Sequence, residues 1–509
     1  MKTLGAKDWL SRRLQWLRAR QRLKPLYFVV FFAAIGLAAL FIAKAATPTT
    51  SLQAEAGTLS GSASVVADGN ASGGSAVRFG SVATPTPTMT ATLDGNQKFQ
   101  IMDGFGTSVN SGAWDNGELR PALDMLVDQN GSKIMRVIIE NMDWEATNDD
   151  ADPNNYNWTY YNNLYSTPRF EELWSTMAYL NQKGITDTMI LNFMGQGPAW
   201  MGGHNLNTAQ QDEWVEMVVS AAYYARNTRH LQFGYFAPNN EADWPGFIEG
   251  VLMNDITYAK LMNKVAVRLN ALGLNDMQMI GPDNATCPGS YYDQMTTYPT
   301  LMAKVQHVTI HSYGGSDCGT PGLIADSPYA DRNWWVSEFS IFDQALTQVG
   351  QGASALITWD GFDSIYNHAI LNGHPNQPGN DAGNAPAMIS YNSNNHTYTP
   401  RKDMYNFGQL FKYVPPGSQR VGISSSKSGM KLHAFVHPGT SGITIFGQNT
   451  TGSQQVIGGT LTNAPAASVL HYSQTNSTSN MATGANVPIT NNTFAAMVPN
   501  NTVFTLTTL

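Results

Sequence analysis

Charge is scarce in this chain, and so is cysteine. Charged residues make up only 13% of the 509 positions, and the only cysteines are Cys287 and Cys318. No CxxC or HExxH spacing occurs, so no metal or redox site is indicated and no cofactor is expected. A basic excess is also missing. Lys and Arg number 29 against 37 Asp and Glu, for a net charge of −8. A phosphate-binding surface needs a basic stripe, so nucleic acid is excluded as a partner. Low charge with abundant Gly, Asn, Ser, Thr and aromatics suits an exported protein better than a cytosolic one. In an exported chain two cysteines permit one disulfide; two free, buried thiols are the other reading.

The first 24 residues are the basic exception, carrying Arg12, Arg13, Arg18, Arg20, Arg22 and Lys24. Leu26–Ala43, LYFVVFFAAIGLAALFIA, is then uncharged for about the length that spans a bilayer core. A basic flank before the span keeps the N-terminus inside and sends the remainder out. The length favours an uncleaved anchor, which would make the membrane a partner. The small residues Ala43, Ala45 and Ala46 favour cleavage as a signal peptide. Either way the remainder is expected to be extracellular or on the cell surface. Residues 47–92 form a Gly/Ser/Thr/Pro-rich spacer. Its Glu55–Gly80 part resembles the opening strands of a family 6 or 35 carbohydrate-binding module, cut short to a remnant. Ser81–Thr92, with its T-P-T-P-T run, reads as a semi-extended linker.

From Leu93 an apolar strand, a polar loop and an amphipathic helix alternate repeatedly. The strand candidates are Phe99–Phe105, Lys133–Ile139, Thr188–Phe193, Leu231–Phe236, Met277–Gly281, Val305–His311, Trp334–Phe339 and Ala355–Trp359. Helical periodicity covers Arg169–Lys183, Ala209–Thr228 and Asn254–Leu272. Eight strands with helical crossovers predict a (β/α)₈ barrel over 93–400. A doubly wound sheet is the alternative, but it gathers ligands at one switch point, whereas polar and aromatic residues here follow nearly every strand. After about Thr399 short alternating runs between Gly, Asn, Ser and Pro turns predict an all-β sandwich over 401–509. Leu93–Gln100, ahead of the barrel, is a further strand candidate.

Two carboxylates stand out on this frame. FGYFAPNNEADW places Asn239, Asn240 and Glu241 at the end of the fourth strand, followed by Trp244. NWWVSEFSIF places Glu338 at the end of the seventh. Strands four and seven lie on opposing parts of a barrel rim, and barrel active sites lie at that carboxyl-terminal face. Two facing carboxyls about 5–5.5 Å apart serve retaining glycoside hydrolysis, and wider pairs serve inversion. The chain holds 12 Trp and 21 Tyr, many for so few charges; most suit the core and a minority a sugar-lined cleft.

With these motifs in view, the chain resembles a clan A glycoside hydrolase, and within the clan family 30. The resemblance runs from about Leu93 to Leu509. It rests on GFG at Gly104–Gly106, PAWM at Pro198–Met201, IGPD at Ile280–Asp283 and HSY at His311–Tyr313. The exit stretch Thr399–Pro416 and the closing FTLTTL complete it. Two loops depart from the family pattern: Ala242 replaces a proline after the acid/base, and Gly195-Gln196-Gly197 replaces a Ser-Pro stretch. The resemblance implies Glu241 as acid/base and Glu338 as nucleophile. It implies Arg136 as a buried cation beside the nucleophile, with His311 and Tyr313 as further donors. Asn240 would bind the sugar 2-hydroxyl, Trp359 would floor the −1 sugar, and Trp114, Trp144, Trp200 and Trp244 would serve other subsites. Cys287 and Cys318 follow strands five and six, where a disulfide could staple adjacent rim loops. Asp149, Asp150, Asp152 and Asn154 hint at a calcium loop, but the turn glycine and distal glutamate are missing, so a solvated loop is expected.

The expected function is an exported, monomeric, retaining β-glycosidase acting on a polysaccharide or oligosaccharide. The leading guess is an endo-β-1,6-galactanase or glucanase. The competing classes are a tethered, non-catalytic glycan-binding protein on the same scaffold and an inverting hydrolase.

Overall fold

The computed structural model describes residues 85–110, 114–140, 144–246, 249–362, 387–392, 395–439 and 442–509, with a short N-terminal piece at 63–67, 71 and 74–79. The basic segment and apolar run expected within 1–46 lie outside the described residues. Among the described residues no helix is long and apolar enough to cross a membrane. Within the spacer, Ala63–Ala67 and Ser75–Phe79 pair antiparallel, forming a unit by themselves.

From Pro85 the chain is one compact unit. Its centre is a closed barrel of eight parallel strands: β1 (Gly104–Asn110), β2 (Ile134–Glu140), β3 (Met189–Met194), β4 (Tyr235–Ala237), β5 (Gln278–Asn284), β6 (Val305–His311), β7 (Asn333–Phe339) and β8 (Ala355–Thr358). The strands follow each other in chain order around the ring, and β8 closes on β1. Runs such as MILNFM in β3 are buried throughout, as parallel strands covered on both faces must be. Gly106 is set by the closeness of β1 and β2: a Cβ there would lie 1.7 Å from the Ile134 carbonyl oxygen.

Alternation along β2 divides its side chains between two cores. Met135, Val137 and Ile139 join the large core between strands and helices. Ile134 joins Ile190, Ala237, Ile280, Trp335, Ala355 and Ile357 in the barrel interior. Ile138 packs with Met194 and Trp359 nearer the mouth. Arg136, between Ile134 and Ile138 on the inward side, is therefore carried into the barrel. The outer helices form where periodicity predicts, at Pro168–Gln182, Gln211–Tyr223 and Asp255–Ala271. Asn254 caps the last of these by accepting from the Thr257 amide.

Two sequence expectations are corrected. The first barrel strand is Gly104–Asn110, not Phe99–Phe105. Phe99 lies instead in Met89–Ile101, whose first half alternates buried with exposed and which pairs with Gln419–Ser425 and Gln455–Thr462. The all-β region thus begins at Met89, inside the stretch read as linker, and it brackets the barrel from both chain ends. Its ten strands form one sandwich-like sheet over a core that includes Leu93, Ile445, Ile457, Phe494 and Phe504. The helix Lys402–Phe411 leads into it, with Phe411 stacked on Phe105 at 5.1 Å.

Candidate active site

The carboxyl ends of the strands gather one buried polar cluster. Arg136, fully buried, reaches two catalytic candidates at once. Its Nη1 donates to Glu338 Oε2 at 2.6 Å, and its Nη2 donates to Asn240 Oδ1 at 2.5 Å. Tyr313 donates its hydroxyl to Glu338 Oε1 at 2.5 Å, although the residue as a whole is 42% exposed. His311 Nδ1 lies 2.7 Å from Glu241 Oε1 and 3.6 Å from Glu338 Oε1. One carboxylate oxygen from Glu241, one from Glu338 and a ring nitrogen of His311 all lie within 4.8 Å of one another.

Local backbone geometry sets these positions. In β7, Trp334 and Val336 point outward and Trp335 points into the barrel. Strict alternation would send Glu338 outward with Val336. The register against β6 slips between Val336 and Glu338, so Val336 faces Ile310 and Glu338 faces His311. This one-residue bulge turns the carboxylate into the mouth. Ser337, the extra residue, donates to Asp283 Oδ1 at 2.5 Å. Glu241 has a φ of +43°, uncommon for a side-chain-bearing residue, and its amide donates to the Asp283 carbonyl at 3.0 Å. Asp283 therefore braces both carboxylate-bearing segments. Asn239 fixes the loop beyond Glu241 by exchanging two 2.9 Å hydrogen bonds with the Val251 main chain. A Cβ on Gly250 would lie 1.5 Å from the Asn240 carbonyl oxygen, so that approach requires glycine. Asp283, Asn239 and Gly250 were not predicted. Only IGPD hinted at the first, and nothing in the sequence marks a bulge.

The electrostatics separate the two carboxyls. Burial would raise the Glu338 carboxyl, but His311, Arg136 and the Tyr313 hydroxyl outweigh it and hold the group below the ordinary glutamate value. Glu241 moves the other way. Burial raises it, the charge of Glu338 adds to the rise, and His311 opposes it. The imidazole itself is raised despite full burial, because both carboxylates favour its charged form. The two carboxyls are pushed in opposite directions, Glu338 toward its charged form and Glu241 toward its protonated form, the division of labour that acid/base chemistry with a nucleophile requires.

The remaining predicted residues fall into two groups. Trp359 is 8% exposed and clusters with Ile138 and Met194 beneath the mouth. Trp200, half-buried after β3, donates its indole N–H to the Glu145 carbonyl at 2.7 Å. Trp244, also half-buried, sits on the turn that Glu241 opens. Trp144 and Trp114 are corrections. Trp144 is 1% exposed and stacked on Phe193 at 3.9 Å, leaving no face for a sugar. Trp114 is 7% exposed and covered by Tyr179 and the Arg120 guanidinium. Cys287 and Cys318 form a disulfide with Cα atoms 5.3 Å apart, joining the loops after β5 and β6. Asp150 and Asp152 spend their carboxylates on amides of their own loop, as a solvated loop would.

No family model matches the chain. Solved structures share its fold. One is a glycoside hydrolase family 30 subfamily 8 xylanase from Clostridium acetobutylicum, 18% identical over 82% of this chain and 99% of that one, with a TM-score of 0.62. Another is a family 30 endoxylanase from Clostridium papyrosolvens C71, also 18% identical, over 82% and 99% of the chains, with a TM-score of 0.60. A third is an endo-β1,6-glucanase, 15% identical over 83% and 95%, with a TM-score of 0.59. What the chain shares with these family 30 structures is the architecture, a (β/α)₈ barrel with an attached β-sandwich. At these identities the likeness is one of fold.

Proposed function

We propose that this protein is a retaining glycoside hydrolase. The observation that carries the reading is the pair Glu241 and Glu338, with oxygens within 4.8 Å across the barrel mouth and pKa values pushed apart. That spacing suits direct attack by one carboxylate; an inverting pair needs about 6.5–9.5 Å to admit water.

Glu338 is held charged, with one oxygen on Arg136 and the other on Tyr313. It attacks the anomeric carbon as Glu241 protonates the departing glycosidic oxygen. Forming the ester removes the negative charge of Glu338, and with it one cause of the high Glu241 pKa. Glu241 then ionises more readily and serves as base toward the incoming water. Asn240, oriented by Arg136 and the Glu249 carbonyl, is aimed to hold the sugar 2-hydroxyl. Trp359 provides the floor of the −1 site, and Trp200 and Trp244 flank further sugars.

The substrate we favour is a β-1,6-linked galactan or glucan cleaved internally. The enzyme would work as a monomer outside the cytoplasm, tethered through 26–43 if that segment is uncleaved. The test is a panel of β-1,6-galactan, β-1,6-glucan and xylan, with product anomers followed by NMR. Release of β-configured reducing ends before mutarotation supports the reading. α-Configured initial products contradict retention, and glycan binding without turnover points to a lectin-like protein.

A further inference from the structure

A second acidic cluster lies outside the mouth, where the loop after β2 meets the helix Gln211–Tyr223. Glu213 and Glu216 are three residues apart on that helix and share a face. Asp149 comes from the loop. One carboxylate oxygen from each lies within 4.8 Å of the others. Glu216 is 1% exposed, and neither of its oxygens has a hydrogen-bond partner among the described residues. Glu213 Oε2 and Asp149 Oδ1 are likewise buried without partners, while Asp149 Oδ2 accepts from the Asn157 amide. Glu145, 1% exposed, adds another unpartnered oxygen nearby. Arg268 stands near enough for its charge to favour ionised Glu213 and Glu216, and Asn148 bonds to Glu213, but no ion pair joins Arg268 to these carboxylates among the described residues: its Nη2 donates to Asn154 Oδ1 at 3.2 Å.

Buried carboxylates without donors or counter-ions are expensive. Left alone, burial and mutual repulsion push Glu145 and Glu216 up to about 9. Protonation would neutralise them but leave the remaining oxygens unsatisfied. A hard cation satisfies charge and lone pairs together. We propose that Asp149, Glu213 and Glu216 hold a divalent cation of the calcium type, fastening the loop after β2 to the helix after β3. Calcium binds carboxylate oxygens at about 2.3–2.6 Å in flexible geometry, so oxygens up to about 5 Å apart can share one ion. Magnesium, with bonds of about 2.1 Å and strict octahedral demands, fits the spacing less well. The braced loop carries Glu145, whose carbonyl holds the Trp200 indole, so the ion would steady one wall of the cleft without touching the reacting atoms.

The test uses the full chain. Metal analysis of the protein as isolated, and calorimetric titration after chelation with EGTA, should each give one calcium per chain. Saturating calcium should raise Tm by about 5 °C over the stripped protein. Magnesium at equal concentration should give less than half that rise. Glu216→Gln and Asp149→Asn should each remove most of the calcium-dependent rise, whereas Asp152→Asn, on the exposed part of the loop, should leave it intact. If the unmodified protein neither contains nor binds calcium, or binds it equally well in both cluster variants, the proposal is overturned.

Discussion

His307 and His311 lie on the same strand, β6, with their side chains at opposite ends of the barrel. Both are buried, and both stand beside a carboxylate. At the lower end His307 stacks on Trp335 at 3.9 Å and meets the Tyr235 hydroxyl at 3.0 Å, with Asn333 and Asp103 beside it. Burial wins there, and its pKa is lowered. At the mouth burial is more complete still, but Glu338 and Glu241 win, and the pKa of His311 is raised. The two ends use the same residue types differently. The lower network closes on itself: Asp103 Oδ2 accepts from Asn333 and from the Trp335 indole at 2.6 and 2.7 Å. The upper one is left open, with His311 Nε2 lacking a partner among the described residues. A satisfied polar plug stabilises the fold; an incompletely satisfied cluster of shifted groups suits chemistry.

The comparison breaks most severely if the mouth residues prove structural. We expect Glu338→Gln to lower kcat by about 10⁴-fold or more while far-UV circular dichroism is unchanged. Glu241→Gln should cost about 10²–10⁴-fold on natural glycosides and much less on aryl glycosides with good leaving groups, measured as kcat/KM. Arg136→Gln leaves a buried carboxylate without its cation. A stability loss of about 3–5 kcal/mol in urea unfolding is expected, together with an acid limb of the pH–rate profile moved to higher pH.

The histidines sharpen the comparison. Turnover needs Glu338 ionised, so activity falls as pH drops through its lowered pKa. It needs Glu241 protonated, so activity falls as pH rises through its raised pKa. His311→Asn removes a charge that lowers both, and both limbs of kcat/KM should move toward alkaline pH by about one unit. His307→Asn should leave the limbs in place and cost about 1–3 kcal/mol of stability. Linkage adds a pH-dependent effect on stability. His433 and His437 are lowered to about 4 by burial. The unfolded chain therefore binds more protons than the fold between pH 6.5 and 4, and Tm should decline over that window.

Much of the barrel and of its mouth was legible in the sequence; the lower His307 network was not. The repeating apolar strand, polar loop and helix announced the barrel, the two Glu-bearing strand ends gave Glu241 and Glu338, HSY gave His311 and Tyr313, and the resemblance picked out Arg136 in the second strand. Other features were not legible. Of the strand Met89–Ile101 only the start, Met89–Thr92, looked like linker; Leu93–Gln100 read as a strand, but its place in the sandwich was hidden because its partners lie more than 300 residues away. Trp144 and Trp114 looked like sugar platforms because a tryptophan after a strand gives no sign of which face is covered. The bulge at Ser337 and the brace at Asp283 exist only once β5, β6 and β7 lie side by side. Nothing in the helical periodicity of Ala209–Thr228 sets Glu213 and Glu216 apart, because Asp149 meets them only in the fold.

The central claim is that Glu338 is the nucleophile and Glu241 its acid/base partner. Glu338→Gly assayed with sodium azide on an activated aryl glycoside tests it most directly. Turnover should return with azide, and the glycosyl azide should carry the anomeric configuration opposite to the substrate. Rescue with retained configuration, or rescue of Glu241→Gly to the inverted product instead, would contradict the assignment.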